Sequence, residues 1–163
     1  MSQVSLLTHS LPRKAKLTSR SVYVHEEEFK HAAWAVGTKA DLGVYLANYL
    51  DLTALNWQTF SDPHYDLCQG ITLHHSPGHT PGLCIMQISL AKDGTFIFTM
   101  DQYHVWENHD ASHPQGWLAR DHNAWVRSYQ QILKLERLFK ATLVYGHDKE
   151  VAKKTIKAKK FYE

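Results

Sequence analysis

Residues 71–101 read ITLHHSPGHTPGLCIMQISLAKDGTFIFTMD, and this stretch decides the fold. Two apolar runs within it, residues 83–90 and 95–100, have the composition of β-strands and are bounded by turn residues. The Lys-Asp-Gly sequence at residues 92–94 is a hairpin signal between the two runs. A shorter strand is predicted at Ile71–His75. The stretch therefore predicts three consecutive strands, of which the last two form a hairpin.

The segment between the first two strands, residues 76–82, reads Ser-Pro-Gly-His-Thr-Pro-Gly. Its two prolines and two glycines exclude a helix or a central strand. The segment therefore predicts a rigid loop that holds His79 at a strand end. Asp101 is polar and directly follows the apolar run of the second hairpin strand. A histidine and an aspartate that each follow a strand end predict a functional site on a β scaffold.

Length and composition indicate one globular domain. The chain has 163 residues, of which 44% are hydrophobic, and this is enough to form a core. The net charge is +2, and because the basic residues form no central patch, no nucleic-acid partner is expected. No apolar run reaches the length of a membrane span, so no membrane partner is expected. Twelve histidines point toward metal binding. The two cysteines require no oxidising compartment, so we expect a cytoplasmic protein.

Strands and helices are predicted on both sides of the central stretch. Before it we expect a strand at residues 22–24, a helix at 26–34 that Gly37 ends, an amphipathic helix at 39–50 and an edge strand at Asn56–Phe60. After it we expect a long irregular loop at 102–117, the longest helix at 119–139, a strand at Thr142–Tyr145 and a lysine-rich tail at 149–160. The predicted fold class is α/β, with a mostly antiparallel sheet and helices on one face.

The first 21 residues are predicted to be a basic, irregular lead-in, and residues 22–163 to be the domain. Residues 1–25 contain no acidic residue, and their basic residues are Arg13, Lys14, Lys16 and Arg20. The same composition is found in organellar transit peptides. We favour the lead-in over the transit peptide.

Three segments together resemble a known family. Residues 76–82, the hairpin that ends at Asp101, and the Tyr-Gly-His-Asp sequence at 145–148 are similar, in this order, to motifs of the metallo-β-lactamase superfamily of dinuclear metallohydrolases. Residues 101–103, with Glu107 and Asn108 beyond them, resemble the N-acyl homoserine lactonase branch more than the glyoxalase II branch. The similarity extends from about Val22 to the C-terminus. It implies one half of the family's αββα sandwich.

The family's motif His-x-His-x-Asp-His, which supplies most of its metal ligands, does not occur in the 163 residues. Asp121 and His122 match the last two positions of the motif, but Trp117 and Ala119 occupy the positions of the first two histidines. The chain is therefore expected to be a truncated or divergent member, a partial metallo-β-lactamase-like domain.

The resemblance implies zinc and a set of ligands. His79 would bind one zinc ion, His147 a second, and Asp101 would bridge the two. Two ions roughly 3.5–4 Å apart can supply a nucleophilic hydroxide and polarise a carbonyl group for the hydrolysis of a lactone or ester. Each ion would receive only two ligands from this chain, whereas catalytic zinc takes about three protein ligands. Weak zinc occupancy is therefore expected.

Tyr103 and His104 are candidates for substrate binding. In the lactonase branch a tyrosine soon after the bridging aspartate helps to polarise the substrate carbonyl. Here Tyr103 lies one position early, and His104 takes the matching place. Structural alternatives exist for the ligand candidates taken singly. A histidine in a Pro-Gly loop could bond to the backbone, Asp101 could cap a turn, and His147 could precede a helix.

Two functional hypotheses follow. The first is a metal-dependent hydrolase most like an acyl-homoserine lactone hydrolase, with a small-molecule lactone or ester as its partner. The second is a catalytically inactive remnant that acts as a binding or interaction module. In either case, one sheet without its counterpart would expose an apolar face. A second copy of the chain or a missing N-terminal half would then be a partner.

Overall fold

The computed structural model describes residues 21–41, 44–47 and 55–155. The chain divides into two compact units, residues 1–61 and 62–163. The predicted basic lead-in lies outside the described residues, apart from Ser21, which begins the first strand. The predicted domain boundary at residue 22 stays a prediction.

The first unit contains two parallel strands and one helix. Strand β1 (Ser21–His25) pairs with β2 (Asn56–Phe60), and helix α1 (Glu26–Thr38) follows β1 directly. Both strands and the start of the helix were predicted from sequence and are confirmed. His25 caps the helix, because its Nδ1 accepts a hydrogen bond of 3.3 Å from the backbone N–H of Glu27.

Two predictions in this unit were wrong. Helix α1 passes through Gly37 and ends at Thr38, because Lys39 adopts a left-handed conformation with φ 58° and caps the helix. The predicted helix at 39–50 is not found at residues 39–41 and 44–47, and the rest of that range lies outside the described residues. Tyr45, one residue of the apolar pattern, is instead buried outside any helix and donates a hydrogen bond of 2.7 Å to Glu28 Oε1 on α1.

The second unit is built on a five-stranded sheet. Its strands, in the order in which they lie side by side, are β3 (His64–Cys68), β4 (Ile71–His75), β5 (Cys84–Leu90), β6 (Gly94–Met100) and β7 (Thr142–Tyr145). All neighbours are antiparallel except β6 and β7, which are parallel. The predicted strands of the central stretch are confirmed to within one residue, and the α/β class with a mostly antiparallel sheet is confirmed.

Four helical segments accompany this sheet. They are α2 (Trp106–Asp110), a 3₁₀ turn (Gly116–Leu118), α3 (His122–Phe139) and α4 (Lys149–Thr155). The prediction that residues 102–117 are irregular throughout was therefore wrong. Helix α3 begins later than predicted because the Asp121 side chain accepts from the N–H of Ala124 at 2.8 Å and caps it there. No helix in the described part of the chain is long and apolar enough to cross a membrane.

The two faces of the sheet have different surroundings. On one face Ile85, Ile97 and Leu143 pack with Trp125 and Ile132 of α3 and form the main core. Side chains alternate along a strand, so the neighbouring residues lie on the other face. They line a cavity of about 820 Å³ together with residues of α4. The strand residues that line this cavity are Ile88, Leu90, Phe96, Phe98, Met100, Val144 and Tyr145. This face is apolar and only partly covered.

Candidate metal centre

Four side chains converge at one end of the second unit's sheet, with Asp101 at their centre. Asp101 Oδ2 lies 3.8 Å from His79 Nε2, and Asp101 Oδ1 lies 3.7 Å from His104 Nε2. The same Oδ1 lies 2.9 Å from His147 Nε2. The structure therefore brings together the three residues that the sequence put forward as metal ligands, and His104 lies with them.

The loop that carries His79 is fixed against the start of α3. Gly78 has φ 142°, and a Cβ at this position would lie 2.5 Å from the Cα of Trp125. Only glycine permits this conformation and this approach of the two backbones. Arg120 Nη1 donates a hydrogen bond of 3.0 Å to the carbonyl oxygen of His79. The loop of residues 76–82 is therefore held from the side of α3, which fixes the position of the His79 ring.

Asp101 is positioned by an irregular end of β6. The pairing of β6 with β7 shifts register between Phe98 and Met100, and Met100 has a left-handed φ of 52°. Register shifts of this kind redirect side chains next to functional sites. Gln115 Nε2 donates to the carbonyl oxygens of Asp101 and Gln102 at 2.7 and 2.8 Å. These contacts fix the backbone on which the carboxylate stands.

His104 and His147 are joined through their backbones. The N–H of His147 donates to the carbonyl oxygen of His104 at 2.8 Å. The N–H of His104 donates to Asn108 Oδ1 at 2.9 Å, at the start of α2. The two imidazole rings meet edge to face, with centroids 4.6 Å apart. Helix α2, which the sequence did not predict, thus orients the segment that carries His104.

Burial and charge distinguish the members of the cluster. The side chains of Asp101 and His79 are only 10% and 12% exposed, whereas that of His147 is 56% exposed. The cluster therefore opens to solvent on the side of His147. Burial lowers the pKa of His104, and the neighbouring His147 and His79 lower it further, while Asp101 acts in the opposite direction. His104 is consequently neutral near pH 7, which is the form in which imidazole binds metals.

Tyr103 is not part of this cluster. Its side chain is fully buried in the core, where its ring lies 6.1 Å from that of Trp125 and 5.9 Å from that of Tyr129, measured between centroids. The structure thus separates the two residues that the sequence put forward for substrate binding, and only His104 faces the site. The physical reason is packing, because the core takes up the Tyr103 ring and the next side chain then faces outward.

Other histidines near the loop have separate contacts. His74 Nε2 lies 3.0 Å from Gln87 Oε1, and His75 Nε2 lies 2.8 Å from the carbonyl oxygen of Pro81. His75 therefore supports the loop that carries His79 from its β4 side. Neither residue joins the cluster around Asp101.

The donor set fits a metal ion of the zinc type. One ring nitrogen each of His79 and His104 and one carboxylate oxygen of Asp101 all lie within 4.8 Å of one another. Ligand atoms around a tetrahedral zinc ion, with bonds of about 2.0–2.1 Å, are about 3.3 Å apart. The observed separations are slightly wider than this, so small rotations of the side chains would close the site around an ion.

Comparisons with known proteins find relatives of similar sequence. No family model matches the chain. The chain is 29% identical over 148 residues to N-acyl homoserine lactonase AttM of Azorhizobium caulinodans. The aligned region covers 86% of this chain and 54% of the relative. It is also 29% identical over 86 residues to an N-acyl homoserine lactonase of Bacillus sp., covering 53% of this chain and 34% of that protein.

Solved structures show the same fold. A mutant of B. thuringiensis AiiA with N-decanoyl-L-homoserine bound at its active site has a TM-score of 0.74 at 21% identity, covering 90% of this chain and 54% of that one. AidC, a dizinc quorum-quenching lactonase, has a TM-score of 0.58 at 18% identity, and the match covers 80% of this chain and 48% of AidC. The chain thus spans about half the length of these proteins. Its fold is the metallo-β-lactamase fold, and it resembles the N-acyl homoserine lactonase branch, as the sequence motifs had indicated.

Proposed function

We propose that this chain acts in the metal-dependent hydrolysis of N-acyl homoserine lactones or closely related esters. The observation that carries the proposal is the position of Asp101, whose two carboxylate oxygens face imidazole rings from different segments. The lactonases of similar sequence and the lactonase structures of similar fold support it. The reaction adds water to the lactone carbonyl and breaks the ring C–O bond, giving a hydroxy acid.

In this proposal His79, Asp101 and His147 hold zinc. A bound divalent ion would supply Lewis acidity toward the carbonyl oxygen and would lower the pKa of a water molecule. The chain's own contribution is to hold the ligands. Asp101 presents one oxygen toward His79 and the other toward His147, so one carboxylate serves both sides. Its low exposure strengthens its attraction for cations, because fewer water molecules screen the charge.

Substrate access in this proposal is from the side of His147. This is the most exposed member of the cluster, whereas the loop that carries His79 is closed off by α3. A substrate carbonyl that approached from the solvent side would meet the rings of His147 and His104 before it reached Asp101. In the proposed function His104 is therefore in a position to contact the substrate as well.

The test is an assay of lactone ring opening by chromatography of the hydroxy-acid product. The purified chain is loaded with zinc and assayed alone and with the N-terminal half of a lactonase relative, which supplies the His-x-His-x-Asp-His motif in trans. We expect the mixture to hydrolyse N-hexanoyl homoserine lactone faster than either part. The Asp101→Asn variant should lose this activity, and the exposed hairpin-turn variant Asp93→Asn should keep it.

Two outcomes would oppose the proposal. Hydrolysis that Asp101→Asn leaves unchanged would show that this cluster is not the site. Binding of the lactone by calorimetry, with no turnover in any mixture or metal, would favour the alternative of an inactive binding module.

A further inference from the structure

We propose that His104 is itself a metal ligand, and that His79, Asp101 and His104 form a site for one divalent cation. This inference shares one assumption with the proposed function, namely that a metal ion binds at this cluster. The inference changes the number of protein ligands that one ion receives. Sequence motifs alone give two ligands per ion from this chain, whereas the structure offers three for one ion.

The geometry of the three side chains supports a common ion. Their ligand atoms lie within 4.8 Å of one another, although the residues come from the loop before β5 and from the segment after β6. His104 Nε2 and His79 Nε2 face different oxygens of Asp101, at 3.7 and 3.8 Å. These distances are too long for hydrogen bonds. They suit ligands that surround a space between them.

The position of the His104 ring is fixed by the fold. Its backbone N–H is bound by Asn108 Oδ1, and its carbonyl oxygen is bound by the N–H of His147. The ring stands between the other two imidazoles, with its centroid 5.5 Å from that of His79 and 4.6 Å from that of His147. A ligand held by its backbone in this way loses little freedom when it binds an ion, which favours binding.

His147 has a different relation to Asp101. Its Nε2 lies 2.9 Å from Oδ1, a hydrogen-bonding distance, while Oδ2 remains directed toward His79. A histidine that donates to a metal-binding carboxylate orients that carboxylate and supports the site from outside. The three-residue site therefore needs no ligand from His147, which in the proposed function serves a second ion on its exposed side. Three protein ligands plus one open position is the arrangement that catalytic zinc takes.

The experiment is a Co²⁺ titration of the metal-free chain, followed by visible absorption, with zinc affinity measured by chelator competition. We expect one Co²⁺ per wild-type chain. His104→Ala should weaken binding at least about tenfold and change the absorption bands, because one nitrogen ligand is lost. The control His113→Ala alters an exposed histidine in the same chain segment and should bind as wild type does. Circular dichroism of the metal-free forms checks that the variants fold.

A second measurement needs no variant. In ¹⁵N-labelled wild-type chain, one equivalent of Zn²⁺ should shift the ring nitrogen signals of His79 and His104 together. If His104→Ala binds Co²⁺ as tightly as wild type with unchanged bands, or if the His104 ring signals do not move, the inference is wrong. A chain that binds one ion through His104 but opens no lactone ring in any mixture would support the inference and oppose the proposed function.

Discussion

The backbone N–H of His147 donates a hydrogen bond of 2.8 Å to the carbonyl oxygen of His104. This bond ties the end of β7 to the segment that follows β6, two residues beyond Tyr145 and four beyond Met100, which form the last residue pair of the two parallel strands. Two imidazoles that are far apart in sequence thereby keep a fixed separation. We expect changes in either segment to alter the other, so the site should respond to substitutions as one unit.

The first prediction concerns the charge at the centre of the cluster. Asp101→Asn keeps the shape of the side chain and removes the charge that three imidazoles face. Zinc affinity, measured by competition with a chromogenic chelator, should fall by at least about tenfold. Asp93→Asn, in the exposed turn between β5 and β6, is the matched control and should change nothing. Equal affinities for the two variants would show that Asp101 binds no metal.

The second prediction concerns the contact between the His79 loop and α3. Gly78→Ala places a Cβ 2.5 Å from the Cα of Trp125 and also strains a φ of 142°. It should lower the free energy of unfolding by about 3 kcal/mol or more, measured by urea denaturation. Gly94→Ala has a comparable backbone strain at φ 81° but meets no atom within 4 Å, so it should cost only about 1–2 kcal/mol. Equal losses would mean that the close approach is unimportant.

The third prediction concerns the support of the Asp101 backbone. Gln115→Ala removes the side-chain amide that donates to the carbonyl oxygens of Asp101 and Gln102. Leaving these groups without that donor should cost about 1–3 kcal/mol in the free energy of unfolding. Zinc affinity should fall as well, because the carboxylate then moves with its backbone. Gln130→Ala, at an exposed position of α3, is the control, and similar results for both variants would refute this role for Gln115.

The fourth prediction concerns acid. Burial lowers the pKa of His74 below its usual value of 6.5, and the hydrogen bond with Gln87 offsets only part of this effect. The unfolded chain therefore binds a proton at a higher pH than the folded chain does. The free energy of unfolding should fall as the pH drops through 6.5. The contribution of His74 to this fall should end once the pH is below the pKa of His74 in the folded chain. Urea denaturation at pH 7.5 and 5.5 measures the loss.

In His74→Gln this part of the acid sensitivity should disappear. His113, which is exposed and lies in the segment between α2 and α3, provides the control variant His113→Gln. If His74→Gln loses as much stability between the two pH values as wild type does, the burial of His74 has no such effect.

The fifth prediction concerns the apolar face of the sheet. The cavity of about 820 Å³ lined by Phe96 and Phe98 should bind a dye such as anilinonaphthalene sulfonate and raise its fluorescence. Phe98→Lys places a charge in the cavity and should reduce the fluorescence several-fold. Val126→Lys, at a position 50% exposed on α3, should leave it unchanged. A wild-type chain that binds no dye would show that this face is covered.

The sequence predicted best where local signals agree with the packing. Strands β4 to β6 follow from apolar runs with turn residues between them, and these signals depend on neighbouring residues alone. The helix predicted at 39–50 shows the limit of such signals. Tyr45, one of its apolar positions, lies outside any helix and donates a hydrogen bond to Glu28, a contact between distant residues that periodicity does not encode.

The candidate site was predictable in its members but not in its arrangement. The order of the motifs indicated His79, Asp101 and His147 as metal ligands. His104 was indicated as a substrate contact because it takes the place of the tyrosine that follows the aspartate in the lactonase branch. The ring of His104 lies between two other imidazoles. This position depends on α2 and on the hydrogen bond from His147, and neither has a sequence signal. Adjacent residues such as Tyr103 and His104 can moreover have opposite surroundings, and only the packed core decides which one turns inward.

The β5–β6 hairpin also has a practical consequence. Its strands begin and end beside the cluster of side chains around Asp101, whereas the turn at residues 91–93 lies at the opposite end of both strands. Seven residues of extended chain span roughly 20 Å. A fluorophore or a surface anchor attached at this exposed turn would therefore stay clear of the side chains around Asp101. Energy transfer from such a label to a bound Co²⁺ ion would report metal occupancy on single molecules without altering any ligand.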